Sequence, residues 1–165
     1  MKRISQSWLI IIFIISIITL SIAFIAEYFF NLIPCDMCLK QRYPYYLIIL
    51  FSILFYIFNQ KRNILLFTLL ELAILYGLFY AIWHVGIEQG IFNGPQSCSG
   101  NLLEVTSIEN LKDKINNQPI VNCSDISWKI MNLSAALLNS LLLFFLLIFN
   151  SIYILNHIYG SKKTN

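Results

Sequence analysis

The sequence predicts an all-α membrane protein: a four-transmembrane-helix bundle with a long second outer loop that carries a short amphipathic helix. Two observations predict this fold class. Hydrophobic residues make up 58% of the chain and charged residues only 12%, whereas a soluble domain carries roughly 25% charged residues. The apolar residues are also gathered into four long runs. At 165 residues the chain is expected to form a single membrane domain.

The four apolar runs set the expected spans. A helix needs about 20 residues to cross roughly 30 Å of hydrocarbon. The second run, residues 44–58, is shorter than this and is expected to borrow residues 39–43. A signal peptide is the alternative for the first run, but its apolar stretch is too long and no small-residue cleavage site follows. The expected spans are residues 8–26, 39–58, 64–82 and 133–155, with outer loops at about 27–38 and 83–128.

The basic residues predict the direction of insertion. Three short segments carry Lys and Arg without any Asp or Glu: the amino end, the connection between the second and third spans, and the carboxyl tail. The other two loops mix basic residues with acidic ones. The positive-inside rule therefore places both termini in the cytoplasm. The net charge of +3 is small and lies in short clusters, so no nucleic-acid partner is expected.

All four cysteines fall in the two outer loops. Cys35 and Cys38 lie in the first outer loop, and Cys98 and Cys123 lie in the second. A chain with four spans exposes these two loops on the same side whichever way it inserts, and the basic residues make this the outer side. Disulfides persist in such a compartment. Four cysteines permit three pairings, and their spacing does not choose among them.

The second outer loop contains an amphipathic segment between its two cysteines. Apolar residues recur there at near-helical spacing, and charged residues take the other positions. This pattern predicts a short helix that either lies on the membrane surface or packs against the spans. The apolar positions are Leu102, Leu103, Val105, Ile108, Leu111 and Ile115.

Cys35 and Cys38 form a C-x-x-C motif at the predicted outer start of the second span. Such a pair can close a small reversible disulfide, and a thiol at a helix start has a lowered pKa. Arg42 follows Cys38 by one helical turn. It is expected to stabilise a Cys38 thiolate or to donate hydrogen bonds to a bound ligand. Pro44 either kinks this helix or marks its true start.

Three kinds of site compete for the C-x-x-C motif: a redox-active disulfide, a structural staple, and half of a zinc site. A zinc ribbon uses two closely spaced pairs of cysteines, whereas Cys98 and Cys123 lie far apart in the chain. No histidine follows Cys38, which excludes a c-type haem attachment. The redox interpretation is favoured and no metal is expected. A non-enzymatic membrane scaffold, stapled by two outer disulfides, stays open as the alternative.

Three segments resemble the DsbB family, the disulfide bond formation protein B family of bacterial inner membranes. Residues 35–45, CDMCLKQRYPY, resemble the family's C-x-x-C-x-x-x-R stretch. Residues 84–98 are similar to its stretch after the third span, and Cys123 followed by Trp128 resembles the end of its second outer loop. Oxidoreductases of the vitamin K epoxide reductase kind are a weaker match, because their C-x-x-C follows the loop cysteines instead of preceding them.

The resemblance implies a relay of disulfides that ends on a quinone, either ubiquinone or menaquinone. A reduced thioredoxin-fold partner, DsbA in the family, would attack Cys98 of a Cys98–Cys123 disulfide. Cys123 would then attack Cys35 of a Cys35–Cys38 disulfide. Cys38, freed as a thiolate beside Arg42, would pass two electrons to the quinone. The resemblance also implies a bacterial inner membrane location, with the active cysteines on the periplasmic side.

Two further residues are candidates for a function. In the family a histidine at the position of His84, just beyond the third span, lies near the quinone, whereas a histidine that caps the helix end is the structural alternative. Glu71 matches no family motif, and an acid inside a span is a functional candidate by default. The favoured interpretation of Glu71 is structural: a hydrogen bond to Tyr76, to Thr68 or to a neighbouring helix.

Overall fold

Helices dominate the part of the chain that the computed structural model describes, which is residues 2–58, 63–95, 123–124, 129–130 and 133–162. The helices are α1 (Lys2–Phe29), α2 (Asp36–Lys40), α3 (Tyr43–Ile57), α4 (Ile64–Glu88) and α5 (Ala135–Lys162). Before α5, two short strands pair antiparallel, β1 (Lys129–Ile130) with β2 (Leu133–Ser134). Cys98 and the expected amphipathic helix of the second outer loop lie outside the described residues.

Three helices of the described chain are long and apolar enough to cross a membrane: Ser7–Phe29 in α1, Ile64–Glu88 in α4 and Ala135–Tyr159 in α5. Large apolar side chains cover their outer faces, among them Ile10, Leu72 and Phe145, each more than half exposed. Soluble proteins rarely expose continuous apolar surface of this kind. The prediction of an all-α membrane protein is therefore confirmed. At 15 residues α3 is shorter than a usual span, and the fourth span stays a prediction.

The region expected to form the second span contains two helices. α2 ends at Lys40, residues 41 and 42 turn the chain, and α3 begins at Tyr43. Pro44 lies in the first turn of α3 and has no amide hydrogen to donate to the Lys40 carbonyl. The helix expected over residues 39–58 is thus interrupted. Of the two roles considered for Pro44, it marks the start of a helix.

α4 extends past the end of the third apolar run. That run was expected to end at residue 82 with a loop from residue 83, but the helix continues to Glu88. The additional turns are still buried, because His84, Gly86 and Ile87 are all buried residues. A polar residue such as His84 ends an apolar run without ending a helix, so hydropathy misses this extension. His84 therefore lies inside α4 and not beyond it.

α4 is the central helix of the bundle and contacts both α3 and α5, while α1 packs against α3. Small residues recur one turn apart on its buried face, Ala73, Gly77 and Ala81, and such residues let helices approach closely in membranes. A Cβ added at Gly77 would lie 2.6 Å from Pro44 Cγ and 3.1 Å from Leu143 Cδ1. The close approach fixes α3 and α5 against the face of α4 that also carries His84, seven positions along the helix.

The apolar core lies between α1, α3, α4 and α5, on both sides of this close contact. Its largest contribution comes from α4, whose buried residues repeat at three- and four-residue intervals along the helix. The fully buried large apolar side chains of the core are Ile12, Tyr45, Ile48, Leu66, Phe67, Leu70, Ile74 and Leu143.

A polar cluster crosses the bundle near the amino-terminal end of α4. Glu71 accepts a hydrogen bond from Asn150 Nδ2 at 2.6 Å and another from the hydroxyl of Ser151, both on α5. Asn150 Nδ2 also donates to the Phe67 carbonyl, and Asn150 Oδ1 accepts from Trp8 Nε1 at 3.1 Å. The cluster joins α1, α4 and α5 and satisfies the fully buried Asn150 side chain. Glu71 is therefore hydrogen-bonded to a neighbouring helix, as its structural interpretation expected.

Candidate active site

A cavity of about 300 Å³ lies at the end of the bundle that carries His84. Its walls are mostly apolar and come from α1, α2, α3, α4, α5 and the chain that connects α1 to α2. Its polar lining includes Cys35, Cys38, Gln41, Arg42, His84, Glu88 and Asn139. The fold thus brings together four residues that the sequence singled out, the two cysteines of the C-x-x-C motif, Arg42 and His84.

Cys35 and Cys38 are free thiols in contact with each other. Their sulfur atoms lie 2.7 Å apart, and the Cys38 amide donates to Cys35 Sγ at 3.2 Å. This geometry arises because Cys35 is the N-cap residue of α2, with extended backbone, and Cys38 lies in the first turn. An N-cap side chain accepts from an amide two or three residues later, and here a sulfur takes that role. The motif thereby holds two sulfurs within easy reach of a disulfide bond.

The two thiols differ in acidity. The hydrogen bond from the Cys38 thiol lowers the pKa of Cys35 to about 5, against the opposing effect of burial, and His84 lowers it further. The same bond raises the pKa of Cys38 above its ordinary value, as do burial and the charge on Cys35. Cys35 is therefore the thiolate at neutral pH and the nucleophile of the reduced pair. In the relay that the resemblance implies, Cys38 is instead the thiolate that leaves when the disulfide opens.

α4 places the His84 imidazole directly beside this pair. The side chain is 4% exposed, and its Nε2 lies 3.7 Å from Cys35 Sγ and 4.0 Å from Glu88 Oε1. Its Nδ1 lies 2.8 Å from Gln41 Nε2. The ring also interacts with the backbone of Cys123. His84 thus has acceptors near one nitrogen and an amide near the other.

Cys123 brings the second outer loop to the same site. It is 1% exposed and disulfide-bonded. It shares a buried cluster with Cys35, Met37 and Ile87, against which Cys38 also packs. Cys98, the partner that the resemblance implies for Cys123, lies outside the described residues. One member of the second cysteine pair is therefore close to the first pair in space, as exchange between two disulfides requires.

Arg42 lines the cavity and forms an ion pair with Glu27. Arg42 Nη1 donates to Glu27 Oε2 at 2.6 Å, and the guanidinium carbon lies 5.3 Å from the centre of the Phe24 ring. Glu27 and Phe24 belong to α1, so this contact ties α1 to the start of α3. A guanidinium has five N–H donors, and one bond to Glu27 leaves others for a ligand. The sequence contains no signal for this pair, because its members are fifteen positions apart.

Three polar residues behind His84 were not recognised as part of a site. Gln41 Oε1 accepts from Asn139 Nδ2 at 2.8 Å, and Asn139 Oδ1 accepts from the Tyr45 hydroxyl. Gln41 lies in the turn before α3 and Tyr45 in its first turn, whereas Asn139 comes from α5 and is far away in sequence. The one available signal was an amide side chain inside the fourth apolar run, where polar residues usually face the bundle interior.

Metal binding is the other chemistry that these side chains could support. The two sulfurs and one imidazole nitrogen of His84 lie within 4.8 Å of one another. In a tetrahedral zinc site with Zn–S distances of about 2.3 Å, two sulfurs lie about 3.8 Å apart. The sulfurs of Cys35 and Cys38 are closer than that, at 2.7 Å. This spacing suits a dithiol that closes to a disulfide better than two ligands of one zinc ion.

These features define a class of protein: a helical membrane protein with a buried dithiol, one sulfur of which is activated, at the wall of an apolar cavity. The chain matches the family of disulfide bond formation protein DsbB over residues 5–153, and it belongs to this family. It is 34% identical to an uncharacterized protein of Rickettsia prowazekii (strain Madrid E) over 142 residues, which cover 85% of this chain and 82% of the relative. No solved structure matches the chain significantly.

Family membership confirms the resemblance seen in the sequence. It makes the protein a membrane disulfide oxidoreductase that takes part in disulfide bond formation with a thiol–disulfide partner. Members of the family are inner membrane proteins and in general use quinones. Since the relative from Rickettsia prowazekii is uncharacterized, the finer description of partner and acceptor has to come from the chemistry of the site.

Proposed function

We propose that the protein reoxidises a soluble, DsbA-like dithiol oxidase of the periplasm and passes the two electrons to a membrane quinone. The observation that carries this proposal is the position of the dithiol. Cys35 and Cys38 line an apolar cavity of about 300 Å³, which is within the size range of small-ligand sites. A thiol pair that served only as a staple would need no such cavity beside it.

The side chains of the cavity fit a quinone, whose head group is a flat apolar ring with two carbonyl acceptors. Leu20, Ala23 and Leu142 supply apolar wall, Arg42 supplies donors for a carbonyl oxygen, and His84 lines the same cavity. When bound, the quinone supplies an acceptor for two electrons and two protons. The chain's own part is to present the dithiol at the cavity wall and to bury Cys35, which is 4% exposed, away from bulk water.

The proposed relay balances at each thiol exchange. A partner thiolate attacks Cys98, breaks the Cys98–Cys123 disulfide and frees the Cys123 thiolate. Cys123 attacks Cys35, breaks the Cys35–Cys38 disulfide and frees the Cys38 thiolate. The partner's second thiol then displaces Cys98, and Cys98 re-forms its bond with Cys123. The net result is an oxidised partner and a reduced Cys35–Cys38 pair. The shared burial of Cys123 and Cys35 supports the second exchange.

Energetics require a strongly oxidising acceptor. DsbA has a reduction potential of about −120 mV, and 30 mV corresponds to about 1.4 kcal/mol for two electrons. Glutathione near −200 mV would therefore run the reaction backwards by about 4 kcal/mol. A membrane quinone is the acceptor available to a dithiol that lines a cavity within a membrane bundle.

The proposal includes four spans, with both termini in the cytoplasm and the cysteines on the periplasmic side. The basic pairs at Lys2 and Arg3 and at Lys162 and Lys163 support this orientation. Further support comes from the close packing of Cys35 and Cys123, because their loops must then lie on one side of the membrane.

The test uses purified protein in lipid discs that have been depleted of endogenous quinone. Adding a reduced DsbA-type protein and either ubiquinone or menaquinone is expected to reduce one quinone per partner oxidised, followed by quinone absorbance. A Cys98→Ser variant is expected to lose reaction with the partner, while thiol trapping still finds its Cys35–Cys38 pair oxidised by quinone. A Cys38→Ser variant is the matched comparison and should retain a trappable mixed disulfide on Cys98 without reducing quinone.

The scaffold alternative makes the opposite forecast for the same samples. Inert structural disulfides would form no mixed disulfide with the partner, and adding quinone would leave the thiol content unchanged. Either result in the unsubstituted protein would overturn the proposed function.

A further inference from the structure

A chain of hydrogen bonds leads from His84 to a buried tyrosine. Gln41 Nε2 meets His84 Nδ1 at 2.8 Å, and Gln41 Oε1 accepts from Asn139 Nδ2 at 2.8 Å. Asn139 Oδ1 in turn accepts from the Tyr45 hydroxyl. Gln41, Tyr45 and His84 are buried. The two side-chain amides, Gln41 and Asn139, each accept through the oxygen on one side and donate through the nitrogen on the other. The hydrogen-bond chain therefore runs in one direction.

Tyr45 sets this direction. If both amides were turned over, Asn139 would donate to the Tyr45 oxygen and the hydroxyl proton would need another acceptor. Within the described part of the chain, Asn139 is the one side chain hydrogen-bonded to that hydroxyl. The tyrosine is 2% exposed, so bulk water cannot replace the missing acceptor. A buried hydroxyl without an acceptor is unfavourable, and the observed direction is therefore the stable one.

The direction of the chain decides where the proton of His84 lies. A neutral imidazole carries its proton on one nitrogen and accepts on the other. Gln41 donates to Nδ1, so Nδ1 must be the unprotonated nitrogen. Nε2 then carries the proton and faces acceptors, with Cys35 Sγ at 3.7 Å and Glu88 Oε1 at 4.0 Å. The groups on both sides of the ring therefore favour the same tautomer, with the proton on Nε2.

We propose that Gln41, Asn139 and Tyr45 are positioning residues that hold the His84 proton on Nε2, where it is donated to the Cys35 sulfur. In an imidazolium both ring nitrogens carry a proton, so the Nδ1–H would face the Gln41 amide hydrogens. Two donors would then point at each other, and the hydrogen-bond chain disfavours this arrangement. His84 therefore stabilises the Cys35 thiolate by donating a hydrogen bond from Nε2. The meaning of this for disulfide exchange rests on the proposed function, whereas the tautomer itself does not.

Nitrogen NMR of the reduced, full-length protein tests the proposal directly. The chain has two histidines, so a His157→Gln background leaves His84 as the source of the imidazole signals. Protonated and unprotonated ring nitrogens have well-separated shifts, and the expected spectrum has a protonated Nε2 and an unprotonated Nδ1. A proton on Nδ1, or on both nitrogens at neutral pH, would overturn the proposal.

Substitutions in the hydrogen-bond chain distinguish a positioning role of these residues from a simple packing role. Gln41→Glu keeps the shape but replaces the donor with a carboxylate acceptor, so it is expected to bring a proton onto Nδ1. Tyr45→Phe removes the group that sets the direction and is expected to give signals from both tautomers. Ser140→Ala is the control, because Ser140 is next to Asn139 on α5 and donates to Leu137 O of its own helix. Its spectrum should match that of the unsubstituted protein.

Unchanged His84 signals in both Gln41→Glu and Tyr45→Phe would also overturn the proposal, since a merely structural chain would leave the tautomer alone. The spectra need neither quinone nor partner. Loss of quinone reduction in samples that keep the expected tautomer would therefore count against the proposed function and leave this inference standing.

Discussion

At the residue scale, the reactivity of the site depends on the donors that surround one sulfur. Cys35 Sγ accepts hydrogen bonds from the Cys38 thiol, the Cys38 amide and the His84 imidazole. Hydrogen bonds to a charged acceptor are roughly twice as strong as those between neutral groups. Stabilising the thiolate stabilises the reduced pair, which makes the corresponding disulfide a stronger oxidant. The donors around Cys35 therefore favour transfer of electrons into this pair from a partner.

The pKa of Cys35 predicts how its reactivity changes with pH. In a Cys98→Ser, Cys123→Ser background, alkylation of Cys35 is expected to have a midpoint near pH 5, because the thiolate forms as pH rises through a pKa of about 5. Below that pH the rate falls as the thiolate is protonated. Cys38→Ala removes the largest cause of the lowered pKa and should move the midpoint towards the ordinary value of 9.0. The measurement is the rate of modification by iodoacetamide, followed by mass spectrometry.

Cys35→Ala in the same background is the control for that experiment. It leaves Cys38, whose pKa burial still raises, so modification at neutral pH should be much slower than that of Cys35. Equal midpoints for Cys35 with and without Cys38 would contradict the hydrogen bond as the cause of the activation.

Arg42→Lys is expected to weaken quinone use more than it weakens folding. The guanidinium is a planar fork of donors, whereas the Lys ammonium is a strongly hydrated point charge, so the substitution keeps the charge and loses the geometry. A hydrogen bond to a charged or polar ligand group of this kind is worth about 1.5–3 kcal/mol. Since Lys retains part of it, the apparent KM for quinone should rise about tenfold. The assay is quinone reduction across quinone concentrations, with expression level measured alongside.

Glu27→Gln is the matched variant for Arg42, because it removes the charge of the ion-pair partner and leaves the guanidinium in place. Its apparent KM should change less than that of Arg42→Lys. If Arg42 only anchors the start of α3 at the membrane surface, Lys would extend its charge to water equally well. If the KM of Arg42→Lys is unchanged at normal expression, Arg42 serves only as an anchor at the membrane surface.

The residues that the sequence identified and those it missed differ in a physical way. Cys35, Cys38 and Arg42 carry reactive groups at short, recognisable spacings, so local sequence is enough to find them. Glu27 and Asn139 matter because of contacts with residues fifteen and ninety-eight positions away. Such contacts are made by helix packing, and one sequence without its fold does not contain them. The acidity of each thiol depends on the same contacts: the sequence predicts a lowered pKa at the helix start and a Cys38 thiolate beside Arg42, whereas the lowered pKa belongs to Cys35 and that of Cys38 is raised.

At the element scale, the interruption between α2 and α3 shapes the site. A continuous helix would place Cys38 and Arg42 on one face, one turn apart. Because Pro44 begins a new helix, residues 41 and 42 turn between the two helices, and Arg42 reaches Glu27 while Gln41 reaches His84. Hydropathy could predict an apolar segment here but not the break, since the consequence of Pro44 depends on whether the chain kinks or restarts.

Gly77→Ala is expected to destabilise the bundle because α3 and α4 meet at that glycine. The new Cβ would lie 2.6 Å from Pro44 Cγ, and a proline ring cannot swing aside as a flexible side chain can. Overpacking of this kind typically costs about 1–3 kcal/mol. Thermal unfolding in detergent should show a lower midpoint than the unsubstituted protein. Leu75→Ala, at an exposed position on the same helix, is the control and should change the midpoint little; equal midpoints for both would contradict the close contact.

At the scale of the whole molecule, an apolar bundle carries a polar cluster near each end. One cluster surrounds the dithiol and His84, and the other joins Glu71 to Asn150, Ser151 and Trp8. Hydropathy located the apolar runs around both clusters, because each run is long and nearly free of charge. It could not say what Glu71 contacts, since the partner amide lies seventy-nine positions later. Glu71 therefore takes part in helix packing, and the dithiol lies at the other end of the bundle.

Asn150→Leu should therefore reduce stability without changing quinone use. The substitution leaves Glu71 without its amide donor and Trp8 without its acceptor, and an unsatisfied buried group costs about 1–3 kcal/mol. Thermal unfolding and quinone reduction are measured on the same preparation. Thr68→Ala is the control, because Thr68 donates to Ile64 O of its own helix. A raised KM for quinone in Asn150→Leu at normal protein levels would show that the Glu71 cluster takes part in function.

The number of spans decides where the carboxyl terminus lies, and this gives a sharp test of the proposed topology. Cys35 and Cys123 share one buried cluster with Ile87, near the end of α4. At 25 residues and about 1.5 Å per residue, α4 begins well over 30 Å away. The chain that follows Cys38 must therefore cross the bundle before α4 can start, and α3 is the segment that does so. At 15 residues it covers only about 22 Å as a helix, so α2 and the turn must supply the rest.

Counting α3 as a span puts both termini on the cytoplasmic side, in agreement with the basic residues of the tail. A chain with only α1, α4 and α5 across the membrane would instead end outside. Alkaline phosphatase, which is active only outside the cytoplasm, is thus expected to stay inactive when fused after Asn165. The same reporter inserted after Ser124 is the positive control and should be active. Activity at Asn165 would remove α3 as a span and would place Cys35 and Cys123 on opposite sides of the membrane, where no disulfide exchange between them is possible.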